Sequence, residues 1–579
     1  MAKISKTKRK SDTPHQTRPT APKEVIPPAT RSPWNWPAAW SVALGLVVAA
    51  VVLYVLRRHF IDIPLERDES AYAYLGKRAL EGQIPYRDFY EMKPPLLFYS
   101  YAALVALFGY SAAGLHWAAL ALGFWNSIWV YAIGSRFFGF FYGFVACMSY
   151  VLLIANPYTT AMLAESELVL MAFVLPGLYC LLRWDYAQNA GTRQQNWWLF
   201  ACGFLLACGV LVRQSGVFFF GVVALLPVLV FWQQKPRSFP NLLKWAAWAF
   251  AGAMLPVIAT VLFINALGVW EEFWFWNVEY GSTYSSGLSQ DVWMRAFSLG
   301  FSLVSRSAAW YWVFAGLGLV ALLTPRLPGR YRLLLPALAA VSFLAVTPGK
   351  RFYTHYWLQL LPALALLMAA FFYHAEQWVA TAMPRTNWRP VMAGFTALLL
   401  LIPVARISPT LFQGDHDRIL RTLFPGNPFP EDKVLADLLA TKMQPDDQVA
   451  VLGSEPQYYV YLDKKAASKH FYMAFTMRPI PQSEGWQQEA LDSIINQKPR
   501  FIVFNFVEYS WMTKKDSKTI LYDGSYRFTR QNYRPVAWAD MLSTHETKYI
   551  LKEEEALRYK PAGQRYVTVY ERKETAGTQ

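Results

Sequence analysis

Asp68 and Glu69 stand side by side in IDIPLERDESAYAYL, a short polar break after an apolar run. A carboxylate held at a membrane surface can act as a general base for an attacking hydroxyl. Asp68 also opens a helical pattern over Ser70–Leu80, where an N-cap aspartate stabilises the first turn by about 1 kcal/mol. One residue can serve both roles. Lys93, in EMKPPLLF, precedes two prolines that fix the backbone. Its ammonium could snorkel to lipid headgroups, or clamp a phosphate that departs as a leaving group. Glu165 and Glu167, in LAESELVL, open another apolar run. A helix dipole favours acids there, and acids at the edge of a membrane span default to functional suspects because they are costly. Arg213 in LVRQSG, and Lys350, Arg351, His355 and Tyr356 in GKRFYTHY, add cations and aromatic rings at the ends of further runs. They read as interfacial anchors or as a lipid-phosphate site.

Long apolar elements must position these residues. Of the 579 residues, 54% are hydrophobic and 16% charged, against about 25% charged in an ordinary soluble domain. Ala38–Tyr54, Leu115–Ile133, Phe137–Ala155, Leu168–Leu182 and Leu358–Phe372 are nearly charge-free, and runs approaching about 20 apolar residues match a bilayer core. The chain reads as a mainly α, polytopic membrane protein with eleven spans, near 38–58, 113–134, 137–155, 165–183, 197–212, 214–232, 244–265, 303–323, 331–347, 356–374 and 391–409.

The net charge of +16 is distributed unevenly. Residues 1–37 hold 8 basic and 2 acidic residues, and 412–579 hold 23 and 22. A nucleic-acid binder would concentrate positive charge on a soluble domain, which this near-neutral C-terminal part does not do. The basic, Pro- and Thr-rich tail 1–37 reads as disordered and cytoplasmic. With it inside, the inner loops hold Arg136, Arg183, Arg193, Lys235, Arg237, Lys244, Arg326, Arg330, Arg332, Arg385 and Arg389 against Asp185 and Glu376, as the positive-inside rule asks. Arg57 and Arg58 go against it. The segment 94–109 would invert all later loops if it spanned. At about 14 residues after its prolines it suits an interfacial helix on the outer surface.

Two outer features follow: a loop at 59–112, and the region 412–579. The latter alternates strand-like runs (Gln448–Gly453, Arg500–Val507, Arg565–Tyr570) with helical patterns near 431–443 and 484–497, which suggests a small α/β domain. Residues 38–411 form the transmembrane domain. Cys147, Cys180, Cys202 and Cys208 all sit in apolar runs, and no histidine pair has metal-ligand spacing, so neither a disulfide framework nor a zinc site is expected.

Together the motifs resemble those of the type C (GT-C) polytopic membrane glycosyltransferases. The branch most similar is the bacterial one related to protein O-mannosyltransferases and the lipid A aminoarabinose transferase. The family carries Asp-Glu after the first span, then Gly-x-x-Pro-Tyr-x-Asp, then Lys-Pro-Pro-Leu. Here these are Asp68-Glu69, Gly82 to Asp88 with Pro85-Tyr86, and Lys93 to Leu96. Glu167, the LVRQSG turn and GKRFYTHYWLQLLP also look like family positions, and the similarity covers about 60–370.

The resemblance implies an inverting glycosyltransferase that uses a polyprenyl-phosphate sugar. Its acceptor would be an envelope glycolipid or glycan of the lipopolysaccharide or lipid A type. It implies catalytic roles at Asp68, Glu69 and Glu167, donor-phosphate contacts at Lys93, Arg351 and Arg213, and substrate contacts at His355, Tyr356 and Tyr86. Either Glu165 or Glu167 aligns with the second acidic position. The implied place is the bacterial cytoplasmic (inner) membrane, with the site and the C-terminal domain on the extracytoplasmic side. No cofactor is required, since cations can neutralise the phosphate; a divalent metal between Asp68 and Glu167 would also fit. A protein acceptor is the alternative, disfavoured by the missing β-trefoil insert of eukaryotic protein mannosyltransferases. A transporter or flippase would share the spans but would more often show paired halves. A non-catalytic envelope assembly protein would use 412–579 as a binding module.

Overall fold

The computed structural model describes residues 36–190, 195–285, 289–306, 308–384, 388–412 and 414–573. The tail expected over 1–37 lies almost wholly outside them, as do Arg193 and Arg385. The chain divides into two compact units, Met1–Leu46 and Val47–Gln579. The described part of the first is helical; all contacts below belong to the second.

The membrane part is helical throughout. Its first nine long helices are α1 (Trp36–Arg57), α2 (Arg67–Leu80), α3 (Leu96–Phe108), α4 (Ala112–Phe138), α5 (Phe140–Ala155), α6 (Ser166–Ala190), α7 (Gln195–Val212), α8 (Phe220–Gln233) and α9 (Phe239–Ala266). Gln290–Ser305, Ala309–Ala321, Gly329–Val346, Leu361–Ala382 and Arg389–Phe412 follow. Among the described residues, eight helices are long and apolar enough to cross a membrane, or nine if Gln290–Ser305 and Ala309–Ala321 form one broken span. The protein is a multi-pass membrane protein.

Three of the eleven expected spans differ. The run at 303–323 is two helices meeting near Arg306, not one. α5 has only 16 residues, about 24 Å at 1.5 Å per residue, short of a bilayer core. Leu361–Ala382 is long enough, but every residue from Leu361 to Ala370 is buried in protein, and its last turns hold His374 and Glu376. It is the central strut of the bundle, packed on α5 and on Ala309–Ala321.

Arg57 is buried at the end of α1, close to Gly123. It belongs to the protein interior rather than to a loop, which explains why its charge goes against the loop count. α3 has 13 residues, about 20 Å long, too short to span. One face (Leu97, Phe98, Tyr101, Ala102, Val105) is buried, while Leu107 and Phe108 are exposed. That one-sided burial suits a helix lying along a membrane surface. α2 packs against α3 at Gly76, where a Cβ would stand 2.6 Å from the Ala102 nitrogen; only hydrogen fits there.

The C-terminal region is an α/β domain around a five-stranded sheet. Its strands are β1 (Val449–Leu452), β2 (Phe501–Phe506), β3 (Tyr533–Met541), β4 (Thr547–Ile550) and β5 (Arg565–Arg572), in the order β1-β2-β5-β3-β4. β1 and β2 are parallel, and the remaining pairs antiparallel. The expected strands correspond to β1, β2 and β5. β3 and β4 were not expected: β3 contains Pro535, a residue that removes a ladder donor, and its register shifts between Pro535 and Ala537. The helices Phe429–Lys442 and Ser483–Gln497 stand where helical patterns were read.

Candidate active site

α2 begins one turn earlier than its apolar pattern suggests, and its N-cap is Glu66, not Asp68. The Glu66 side chain accepts from the Glu69 backbone N–H at 2.7 Å, and Glu69 Oε1 accepts from the Glu66 N–H at 3.1 Å. This reciprocal capping box fixes which face each acid presents. Glu69 is fully buried. Its Oε2 accepts from the Ala164 N–H at 2.8 Å, and its Oε1 stands 3.2 Å from His116 Nε2. The carboxylate thus ties α2 to α4 and to the turn before α6.

Asp68, one residue earlier, points elsewhere. Its carboxylate accepts no hydrogen bond among the described residues, and it is partly exposed. Glu66, Glu69, Glu91, Glu165 and Glu167 are all buried. Asp68 is therefore the one acid of this group open to an incoming molecule, at the N-terminal end of α2.

Two cations share its electrostatic surroundings. Lys93 is buried, and its Nζ donates to the Tyr72 hydroxyl, lies 3.3 Å from Glu91 Oε1 and sits 4.6 Å over the Tyr72 ring. Its backbone is held by Glu91 Oε2 at 2.6 Å and by the Tyr86 hydroxyl, which donates to the Lys93 carbonyl at 3.0 Å. Tyr86 holds a left-handed backbone, φ 69°, a strained conformation for a bulky residue. Arg213 pairs with Glu167 at 3.0 Å, donates to Ser166 Oγ at 3.0 Å, and lies 4.6 Å over the Tyr356 ring. Gln214 next to it donates to the Met92 carbonyl at 2.8 Å, which joins the Arg213 turn to the Lys93 backbone. His355 lies 3.6 Å from Glu165.

The charges interact. Burial pushes Glu66 and Glu165 well above the usual carboxylate range, helped by neighbouring acids, including Asp68 in both cases. Burial also raises Glu91 despite Lys93 beside it. Burial holds His355 below its ordinary value against the pull of Glu167 and Asp68, with Arg213 and Lys93 adding to the lowering. So Asp68, Lys93, Arg213, Glu167, His355 and Tyr356 share one electrostatic environment. Glu69 stands behind it as a brace, Tyr86 supports the Lys93 backbone, and Arg351 donates to the Tyr353 hydroxyl at 3.5 Å.

Sequence reasoning missed several neighbours. Tyr72 follows Asp68 by four residues, a helical spacing that signals a shared face, and Glu91 precedes Lys93 by two. The C-terminal domain also reaches the site, with no local signal. Arg67 donates to the Ser454 carbonyl at 2.6 Å and pairs with buried Glu455 at 2.5 Å, and Tyr472 lies close enough to Asp68 for its hydroxyl to feel that charge. A separate polar cleft of about 830 Å³, lined by Arg306, Asp415, Arg418, Arg421 and His545 among others, includes none of these residues. No group of three His, Cys, Asp or Glu side chains among the described residues is placed to hold a metal ion.

The fold has counterparts among solved structures. The structure is similar to ArnT from Cupriavidus metallidurans bound to undecaprenyl phosphate, with a TM-score of 0.57 at 16% identity, covering 94% of this chain and 100% of that one. It is similar to the same protein in the apo state, with a TM-score of 0.56 at 16% identity, covering 92% and 98%. The Archaeoglobus fulgidus oligosaccharyltransferase in the apo form gives a TM-score of 0.52 at 12% identity, covering 90% and 75%. A family profile for dolichyl-phosphate-mannose-protein mannosyltransferases matches residues 69–277. No curated protein sequence matches the chain. The fold is that of the polytopic type C glycosyltransferases. Within that class the fold is similar to that of ArnT over nearly the whole chain, and the mannosyltransferase profile matches residues 69–277.

Proposed function

We propose that the protein transfers a sugar from a polyprenyl-phosphate donor to a hydroxyl of an envelope glycolipid or glycan, with inversion at the anomeric carbon. The observation that carries this reading is one open carboxylate, Asp68, in the same electrostatic environment as buried Lys93 and mostly buried Arg213, at the head of a membrane bundle. The donor's lipid tail stays in the bilayer, and its phosphate enters between Lys93 and Arg213. There it competes with Glu91 and Glu167 for their charge. Asp68 takes the proton of the acceptor hydroxyl as that oxygen attacks the anomeric carbon. The bond to the phosphate oxygen breaks on the opposite face, and the cations stabilise the departing lipid phosphate in a dry site. Glu167 positions Arg213, and neutral His355 and Tyr356 line the acceptor path. The chemistry needs no metal, because side chains neutralise the phosphate.

We place the site and residues 412–579 on the outer face of a bacterial cytoplasmic membrane, on the strength of the basic residues in the opposite loops. Transfer of labelled sugar from polyprenyl-phosphate donors to envelope glycolipid extract, by the purified protein in nanodiscs, tests the reading. Time-dependent labelling of a glycolipid band supports it. Uptake of a sugar or lipid into sealed vesicles without any transfer would replace it with a transporter.

A further inference from the structure

One segment of the C-terminal domain, residues 454–471, grips the membrane part at two places that flank the site. At the first it holds the start of α2. Arg67, the residue before Asp68, donates to the Ser454 carbonyl at 2.6 Å and pairs with fully buried Glu455. The Leu65 N–H donates to the Tyr461 hydroxyl at 2.6 Å, and the Tyr74 hydroxyl accepts from the Ala466 N–H at 3.1 Å. At the second place the segment holds the turn that ends in Lys93. The Tyr90 hydroxyl lies 2.5 Å from His470 Nδ1, and His470 Nε2 stands 3.2 Å from Glu489 Oε2. Tyr90 and His470 are both buried.

These partners fix the state of the imidazole. The hydrogen bond from His470, with Lys469 adding and partial burial opposing, holds Glu489 down to about 2, so its carboxylate only accepts. Nε2 therefore carries the hydrogen, and Nδ1 accepts from the Tyr90 O–H, as a neutral imidazole can do with these two partners. Burial holds His470 below its ordinary value, which favours the same neutral form. The Tyr90 ring is fixed as well, stacked on Trp276 at 4.0 Å and 10°. The stretch around Trp276 is itself tied to the C-terminal domain. The Tyr280 hydroxyl donates to the Phe475 carbonyl at 3.2 Å, and Arg478 donates to Thr283 Oγ1 at 3.0 Å. Three residues after Tyr90, the Lys93 ammonium donates to Tyr72, one helical turn from Asp68.

We propose that residues 454–471 set the placement of Lys93 relative to Asp68, and that His470 is the positioning residue for the Lys93 turn. The inference rests on the glycosyltransferase reading, in which Lys93 serves the donor phosphate and Asp68 the acceptor. His470 touches neither substrate and acts through Tyr90. Turns hold reactive geometry less precisely than helices unless neighbours fix them, and Lys93 stands on a turn while Asp68 stands on a helix. One segment that grips both gives them a common reference. A misplacement of about 1 Å can cost about 10²-fold in rate.

The test uses the full-length protein in nanodiscs, with Tyr90→Phe, His470→Phe and His470→Asn. Tyr90→Phe removes a single oxygen and keeps the stack on Trp276. His470→Phe keeps a ring without its nitrogens, and the asparagine oxygen of His470→Asn can replace Nδ1 as acceptor. The readouts are hydrogen exchange over 86–95 without ligand, undecaprenyl phosphate affinity, and single-turnover sugar transfer. Tyr90→Phe and His470→Phe are each expected to speed exchange at 90–93 roughly fivefold, weaken donor-lipid binding roughly threefold and slow transfer roughly tenfold. His470→Asn is expected to recover most of each loss. The double variant Tyr90→Phe/His470→Phe is expected to lose no more than either single one. Unchanged exchange and binding in Tyr90→Phe, which serves if the His470 variants fail to fold, overturns the proposal. So do losses that multiply in the double variant. A lower melting temperature in His470→Phe with normal donor affinity and rate also overturns it, since His470 would then stabilise its own domain only. Wild-type protein that neither binds undecaprenyl phosphate nor transfers sugar would sink the glycosyltransferase reading, while faster exchange in Tyr90→Phe would still support the tie to the Lys93 turn.

Discussion

Glu69→Gln is expected to damage the fold more directly than the chemistry. The carboxylate is fully buried and accepts from two backbone N–H groups, those of Glu66 at 3.1 Å and Ala164 at 2.8 Å, with His116 at 3.2 Å. A glutamine has one acceptor oxygen, so its NH2 must face at least one of these donors. The amide either orphans the Ala164 N–H, at about 1–3 kcal/mol, or gives up the capping-box bond to the Glu66 N–H, at about 1 kcal/mol, so the cost is about 1–3 kcal/mol. Local opening of the turn before α6 should then become roughly fivefold to a hundredfold more frequent. Hydrogen exchange measured by mass spectrometry on peptides covering 160–165 reads this directly. Asp68→Asn is the control, since that carboxylate accepts no hydrogen bond among the described residues. Exchange at 160–165 unchanged in Glu69→Gln would refute the bracing role and return Glu69 to the list of candidate bases.

Lys93→Ala should weaken undecaprenyl phosphate binding by about 2–5 kcal/mol, with Lys93→Arg losing less; equal affinity in wild type and both variants, by scintillation proximity, would make Lys93 only a partner of Glu91. Because burial holds His355 below 6.5, its contribution to stability is fully present above that value and is lost as pH falls through the lower folded value. Thermal unfolding between pH 7.5 and 5 should therefore show a smaller acid-induced drop in His355→Gln than in wild type, and identical curves would contradict the assignment. Cysteines placed at Lys515 and Arg237 should differ in intact cells, the first reacting with an impermeant maleimide and the second not; the reverse would invert the proposed sidedness.

Much of the site was legible because polar residues in an apolar chain stand out. Asp68, Lys93, Glu167 and Arg213 each interrupt a hydrophobic run, and each ends in the same environment. What the sequence hid has physical causes. Adjacent acids differ only in the helix face they present, so Glu66 capping α2 and Glu69 bracing it became visible only with the backbone. Uniformly apolar runs mark neither a break, as near Arg306, nor the difference between lipid-facing and protein-buried helices, as in Leu361–Ala382. β3 was masked by Pro535. The approach of Arg67 to Glu455, and of Arg478 to Thr283, joins segments hundreds of residues apart, and nothing local announces such contacts.

The central claim is that Asp68 is the base for sugar transfer, and the most direct measurement is single-turnover transfer by folded, purified Asp68→Asn from a polyprenyl-phosphate donor. Asparagine matches aspartate in shape and leaves the Glu66–Glu69 cap intact, but it cannot accept the acceptor's proton. The account predicts unchanged thermal stability, donor binding within a fewfold of wild type, and a transfer rate lower by about 10²–10⁴-fold. Transfer at near wild-type rate in Asp68→Asn would contradict it.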